Sequence, residues 1–193
     1  MADTHQRIVP VLSYGVRCIS MGLLVDTSTA MIWRGPMVMN AVRQFLQKTA
    51  WEETDYLIVD LPPGTGDAQL TLIQAVALSG AVIVTTPQPV ALADAVRGVS
   101  MFEKLDVPIL GLVENMAYYE LPDGTRDYVF GDGGGRKMAE THHIKMLAEV
   151  PLRTGVRTSG DQGIPAVLGQ DHTAEIFMTL AKDVAAALPV SNL

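Results

Sequence analysis

Residues 55–67, Asp55-Tyr-Leu-Ile-Val-Asp60-Leu-Pro-Pro-Gly-Thr-Gly-Asp67, constrain the fold of this chain more than any other stretch. Tyr56 to Val59 is a short apolar run with β-branched members, bounded by acids and then by Pro and Gly. That layout predicts a strand buried on both faces, as in a parallel sheet. Asp60 then stands at the carboxyl end of the strand, where open parallel sheets place their ligand crevice, and a carboxylate there can hold a metal-bound phosphate directly or through water. Pro62 and Pro63 stiffen the next turn, while Gly64 and Gly66 let backbone amides approach an anion. The plainer reading is an ordinary strand-to-loop turn that happens to end on an acid.

The rest of the chain alternates strand-like and helix-like segments through short turns, the pattern of a doubly wound, mostly parallel α/β sheet. Val16–Met21 is expected as a first strand. A helix comes next from about Pro36, with Val38, Ala41, Val42, Phe45 and Leu46 along one face. After strand Tyr56–Asp60 come a helix near Ala68–Leu78, strand Ala81–Thr85, a helix near Ala91–Leu105 and strand Ile109–Val113. Tyr118–Phe130, with Pro122-Asp-Gly124 between aromatic residues, reads as a hairpin-like excursion. A helix from about Gly134, a strand near Met146–Val150 and an amphipathic helix over about Thr173–Leu188 complete the pattern.

With 193 residues and 48% hydrophobic content, one domain over residues 1–193 with a full core is expected. A formal charge of −7 argues against a nucleic-acid partner held through phosphates. No run reaches the ~18 apolar residues that span a bilayer, and the N-terminus lacks the layout of a secretory signal, so no membrane partner and a cytoplasmic location are expected. Cys18 is the single cysteine, which forbids an internal disulfide and a multi-thiolate site built from one chain. Inside an apolar run, it reads as a small buried hydrophobe. His142 and His143 are adjacent and point differently on any regular element, so they make no recognisable ligand set, and His5 and His172 read as surface residues.

Gly131-Asp-Gly-Gly-Gly-Arg-Lys137-Met138 looks superficially like a Walker A loop. Such a loop needs Gly before its Lys and Ser or Thr after it, and Arg136 and Met138 hold those places. A turn that starts a helix is the expected structure. Asn115, at the end of an apolar strand, carries an amide that can both donate to and accept from an adenine edge, or can simply turn the chain.

Together these segments resemble a known family. Residues 51–72 look like the signature of the Mrp/ApbC iron–sulfur carrier proteins, a branch of the deviant P-loop ATPases related to MinD and ParA. Ser20-Met-Gly-Leu-Leu-Val25, Ile32-Trp-Arg-Gly-Pro-Met-Val38, Gly80-Ala-Val-Ile-Val-Thr-Thr-Pro-Gln88, Val113-Glu-Asn-Met116 and Phe130-Gly-Asp-Gly-Gly-Gly135 occur in the family's order. The resemblance implies a P-loop NTPase sheet of which this chain is the C-terminal portion, lacking the first strand and the lysine-bearing phosphate loop. It implies ATP with Mg²⁺ as cofactor, Asp60 as the catalytic acid that orients magnesium indirectly, and Gly64, Asn115, Pro151 and Arg153 at the nucleotide. Pro151 and Arg153 read equally well as a turn and a solvated charge.

The resemblance also implies an ATP-linked iron–sulfur carrier or assembly factor, acting as a homo-oligomer or homodimer with assembly proteins and apo-protein clients. Without the Walker A lysine its hydrolysis is expected to be impaired, which leaves open whether it is an enzyme. Many family members carry a Cys-x-x-Cys pair after Glu-Asn-Met, where two subunits bridge one cluster. This chain has Tyr118-Tyr-Glu-Leu-Pro-Asp-Gly124 there, so no iron–sulfur ligands are identifiable. Trp33 and Arg34 belong to a dimer surface by the same resemblance, or pack on the next helix. Two alternatives stand beside the carrier: a non-enzymatic dimerisation or interaction module, and a MinD/ParA-like positioning ATPase.

Overall fold

The computed structural model describes residues 7–23, 35–62, 64 and 66–188. The readings made for Trp33 and Arg34, for His5 and for Pro63 and Thr65 lie outside them. The chain divides into two compact units, Met1–Ala77 and Leu78–Leu193.

The first unit opens with a hairpin of β1 (Val11–Ser13) and β2 (Val16–Cys18), antiparallel with Ser13 opposite Val16. Its two turn residues, Tyr14 and Gly15, both have positive φ, at 48° and 79°. Two left-handed residues in succession are what a two-residue hairpin loop of type I′ requires, because their twist matches that of the strands. The expected strand Val16–Met21 is thus corrected: it stops at Cys18, and Met21–Leu23 is a 3-10 turn. Cys18 is exposed on this short ribbon rather than buried, since two strands alone offer no covering layer.

Helix α1 (Gly35–Gln47) begins with Pro36 in its first turn, and Trp51 Nε1 donates to the carbonyl of Phe45 at 2.8 Å. Helix α2 (Asp67–Ala75) packs against α1 and buries Gln69 and Leu72. Between the two helices the expected strand Tyr56–Asp60 is absent. Among the described residues it has no ladder partner, and Ile58 is 90% exposed. A run this apolar forms a strand buried on both faces only when neighbours supply both edges. Here the segment instead lines an open cavity of about 830 Å³ together with β2 and the apolar face of α1.

The second unit is built on a three-stranded parallel sheet ordered β3-β4-β7, where β3 is Ala81–Thr85, β4 Ile109–Asn115 and β7 Met146–Val150. Central strand β4 is the most buried: Leu112 and Val113 are the apolar floor, and Gly111 to Glu114 are all shielded from solvent. Helix α3 (Pro89–Lys104) takes Pro89 at its start, where the missing N–H costs nothing, and buries Val99 and Phe102. Between β4 and β7 lie the small hairpin of β5 (Tyr119–Glu120) and β6 (Arg126–Asp127) and helix α4 (Gly134–Thr141). Helix α5 (Thr154–Asp161) and a 3-10 turn, Ala166–Leu168, lead to α6 (His172–Ala187), whose first turn is capped by Asp171 accepting from the Ala174 amide at 3.0 Å. Contacts join α3 to β3, α4 to β4 and α6 to β7.

Close approach of β4 and β7 depends on Gly111. A Cβ there would lie 2.4 Å from Leu147 Cγ and 2.7 Å from the Lys145 carbonyl oxygen, and the second neighbour is backbone that cannot swing away. Gly111→Ala is therefore expected to destabilise the protein by about 1–3 kcal/mol, read as a lowered urea midpoint with unchanged slope. An unchanged midpoint would mean that the two strands separate at little cost.

Candidate functional site

The carboxyl ends of the three parallel strands carry Thr85, Asn115 and Val150. Asn115 ends β4 as expected. Its Oδ1 accepts the Met116 amide at 3.0 Å, beside a Met116 φ of 54°, and the Asn115 NH₂ group has no partner among the described residues. The same residue lines a cavity of about 410 Å³ with Thr85, Thr86, Asp94 and the small face Ala91, Ala95 and Gly98 of α3. Asn115 thus turns the chain with its oxygen and is one of the residues that line the cavity.

The segment after β7 is stitched to the segment after β4. The Ala117 amide donates to the Val150 carbonyl at 3.0 Å, and the Leu152 amide to the Tyr118 carbonyl at 2.7 Å. Pro151 and Arg153 come directly after β7, so the structure brings them beside the chain that leaves Asn115. Arg153 is only part-exposed and pairs through Nη2 with Glu120 of β5, and is therefore not a solvated charge.

Asp60 and Gly64 belong to the first unit. Asp60 is exposed, on the wall of the larger cavity rather than at the end of a strand. The Pro62 carbonyl accepts from Nε2 of buried Gln69 at 2.7 Å, which ties the start of the loop to α2. Gly64 has a φ of 93°, a value only glycine adopts without strain, and no atom lies within 4 Å of where a Cβ would be. The loop thus keeps open space around its glycine.

Sequence reasoning missed Glu114. It is 2% exposed, beside Asn115 on the central strand, and its carboxylate accepts the Gly135 amide in the first turn of α4. Across the ladder Glu114 is paired with Glu149, which Arg136 holds at 2.5 Å. Burial pushes the Glu114 carboxyl above the usual carboxylate range; the Gly135 amide and Arg136 oppose that shift, and Glu149 and Asp132 add to it. The arrangement also explains why the Gly-rich segment is no phosphate loop: Gly133 is left-handed, α4 starts at Gly134, and its leading amide already serves the protein's own anion. An acid inside an apolar strand, with a glycine-rich helix start about twenty residues later, was the available signal. Among the described residues no group of three or more His, Cys, Asp or Glu side chains is placed to hold a metal ion. No described helix is long and apolar enough to cross a membrane.

Residues 1–185 match the ParA family described as NUBPL iron-transfer P-loop NTPase. The chain belongs to that family. The iron-sulfur cluster carrier protein of Synechocystis sp. is 48% identical over 189 residues, covering 95% of this chain and 53% of the relative. The iron-sulfur protein required for NADH dehydrogenase, mitochondrial, of Arabidopsis thaliana is 46% identical over 96% of this chain and 60% of its own. The chain thus spans little more than half the length of these relatives. Among solved structures, a nucleotide-binding protein of Archaeoglobus fulgidus in complex with ADP is 36% identical, with a TM-score of 0.70 over 86% of this chain and 65% of that one. MinD of Pyrococcus furiosus, at 21% identity and a TM-score of 0.55, shares the fold. The α/β fold expected from the sequence is therefore that of the P-loop NTPases.

The raised Glu114 carboxyl has a signed consequence. A group whose folded-state pKa lies above its unfolded value contributes stability that is full below the ordinary carboxylate range and lost as pH rises through the folded pKa. Glu114→Gln removes that titration while keeping an acceptor for Gly135. From about pH 4 to about pH 7 the stability difference is expected to move in favour of Gln, measured by urea midpoints at each pH. A difference independent of pH would remove Glu114 as the titrating group.

Proposed function

We propose that this chain is part of an ATP-linked iron–sulfur cluster carrier or assembly factor, and that it supplies the base end of the nucleotide site. The observation that carries the reading is Asn115: in a family of iron-transfer P-loop NTPases, this last residue of the central strand lines a cavity of about 410 Å³ with β3 and the small face of α3. Crevices of this size at that position are where open α/β sheets hold nucleotides.

The residues present fit an adenine nucleotide unequally. At the base end, the Asn115 NH₂ can donate to a ring nitrogen, and Pro151 and Arg153 follow β7 beside the chain that leaves Asn115. Asp60, exposed and unburdened by a described ion pair, fits the role of holding magnesium indirectly and orienting water. Gly64 leaves room for a phosphate to approach backbone. At the phosphate end no described lysine fits, since the glycine-rich turn before Lys137 is committed to Glu114. Bound ATP would supply a transferable phosphoryl group and the energy of its release; the part of the second unit is to orient the base through Asn115.

The cluster is cargo rather than a resident cofactor. Exposed Cys18 is the one cysteine of this sequence, and the β5–β6 hairpin follows Glu114-Asn115-Met116, where the family resemblance leads to the expectation of a cysteine pair. Delivery to apo-protein clients, a cytoplasmic location and a homo-oligomeric state complete the proposal. A second reading, a non-enzymatic interaction module, is favoured only by the lack, among the described residues, of a lysine placed for the phosphates.

Four measurements test these proposals. The isolated chain is expected to hydrolyse ATP no faster than buffer, and magnesium-dependent turnover abolished by Asp60→Ala would overturn that. Asn115→Ala is expected to weaken adenine-nucleotide binding by about 3- to 10-fold, the worth of one hydrogen bond, by calorimetry. Unchanged affinity would take Asn115 out of the site. Because Ile58 and its neighbours lie open, light scattering at low micromolar concentration should give a mass above that of one chain, reduced by Ile58→Lys. A monomer would remove the oligomer from the proposal. Anaerobic purification decides between the readings: brown colour with acid-labile sulfide supports a carrier, and colourless protein that still binds partners supports a module.

A further inference from the structure

The outer edge of β7 is open. In the sheet order β3-β4-β7 this strand is paired on one side only among the described residues. The Leu112 amide donates to the Lys145 carbonyl at 2.8 Å, with Met146 opposite Leu112, so the N–H and C=O of Met146 turn away from β4. Farther along, the Val150 carbonyl accepts the Ala117 amide at 3.0 Å, and Glu149 before it turns outward in the same way. On that outer side neither residue has a backbone partner among the described residues. Side chains alternate between the faces of a strand, yet the four successive residues Met146 to Glu149 all line one cavity, of about 870 Å³. The cavity therefore runs along the edge of the strand rather than over one face.

This groove has an apolar floor and charged sides. Ala139 of α4, Ile144 and Ile176 of α6 line it beside Met146. Two ion pairs bracket the strand: Lys145 with Asp183 at 2.9 Å, and Glu149 with Arg136 at 2.5 Å. Arg126 of β6 lines the same cavity, its guanidinium carbon 4.0 Å from the centre of the buried Tyr118 ring. Among the described residues Arg126 has no carboxylate partner, so a cation is held by an aromatic face with its hydrogen-bond donors unspent. Glu140 is the lining's unpaired acid, but it is exposed, with no described bond that fixes its side chain. A charge already held in place gives up less freedom on binding than a mobile one, which favours Arg126 as the selecting group.

We propose that this edge docks an extended segment of a partner protein, added to β7 as a further strand, with an Asp or Glu side chain of the segment on Arg126. The edge supplies main-chain bonds, the apolar floor takes alternate side chains of the guest, and the fixed guanidinium selects the carboxylate. β7 has five residues, so a guest of about five or six residues fills it. The groove shares no lining residue with the Asn115 crevice, and the inference stands apart from nucleotide binding there.

The test uses the full chain and labelled hexapeptides Thr-Val-Xaa-Val-Thr-Val, with Asp, Asn or Lys as Xaa, in anisotropy titrations beside amide exchange. The Asp peptide is expected to bind at least about threefold tighter than the Asn peptide, with the Lys peptide weakest. At about ten times its dissociation constant it should slow exchange of the Met146 and Glu149 amides about tenfold. Of two versions N-methylated on alternate sets of amides, the one that blocks the inward donors should not bind, and the other should. Arg126→Gln, an exposed change on the hairpin, should keep the slowed exchange but erase the preference for Asp over Asn. Binding without slowed exchange at those two amides, equal binding of both methylated versions, or no binding of any peptide at about 1 mM overturns strand addition. Equal affinity for Asp and Asn, a preference for Lys, or a preference for Asp that survives Arg126→Gln overturns the acidic partner.

Discussion

The second unit is organised around one buried anion. Glu114 lies on the central strand with almost no solvent contact, and its carboxylate reaches the first turn of α4. Burying a carboxylate is costly unless hydrogen bonds and favourable dipoles replace the lost water. The helix N-terminus supplies both, because its amides are unpaired and its partial charge is positive. Arg136, one residue beyond Gly135, also holds Glu149 on the next strand. A single helix start therefore answers two acids on neighbouring strands, which fixes where α4 sits against β4.

That arrangement separates features legible in the letters from those that are not. β3 and β7 fall on their expected bounds and β4 runs two residues further, because each is a mostly apolar run between turn signals, β-branched above all in β3. The helix starting near Gly134 and the excursion after Tyr118 are equally legible. Helix α5 is not, since its eight residues hold two glycines and no apolar stripe, and it is kept by an Arg157–Asp161 pair and by hydroxyl bonds from Thr158 and Ser159 to preceding carbonyls. The first hairpin escapes notice because its turn is Tyr-Gly rather than the familiar Asn-Gly. The strand expected at Tyr56–Asp60 fails for a different reason. Its composition is right, but pairing belongs to neighbours and not to the run itself.

Site residues show the same division. Asn115 is legible because a polar amide closing an apolar strand is visible in the letters. Glu114 and Glu120 are not, since their roles depend on Gly135 and Arg153, 21 and 33 positions away. Arg153 reads in sequence as a nucleotide residue by resemblance or as a solvated charge, and in the fold it pairs with Glu120. The family's name concerns iron transfer, yet among the described residues no group of three or more His, Cys, Asp or Glu side chains is placed to hold a metal ion.

Gly135 carries a consequence for how this sequence can drift. A Cβ there would stand 2.5 Å from the Glu114 carboxylate oxygen and 3.1 Å from its Cβ. The two positions therefore cannot change independently: any side chain at 135 must wait until residue 114 has shortened, and a shortened residue 114 leaves the helix amide without its partner. Descendants of this chain are confined to two narrow routes. They keep the glycine with the acid, or they replace both together with another way to satisfy the start of the helix.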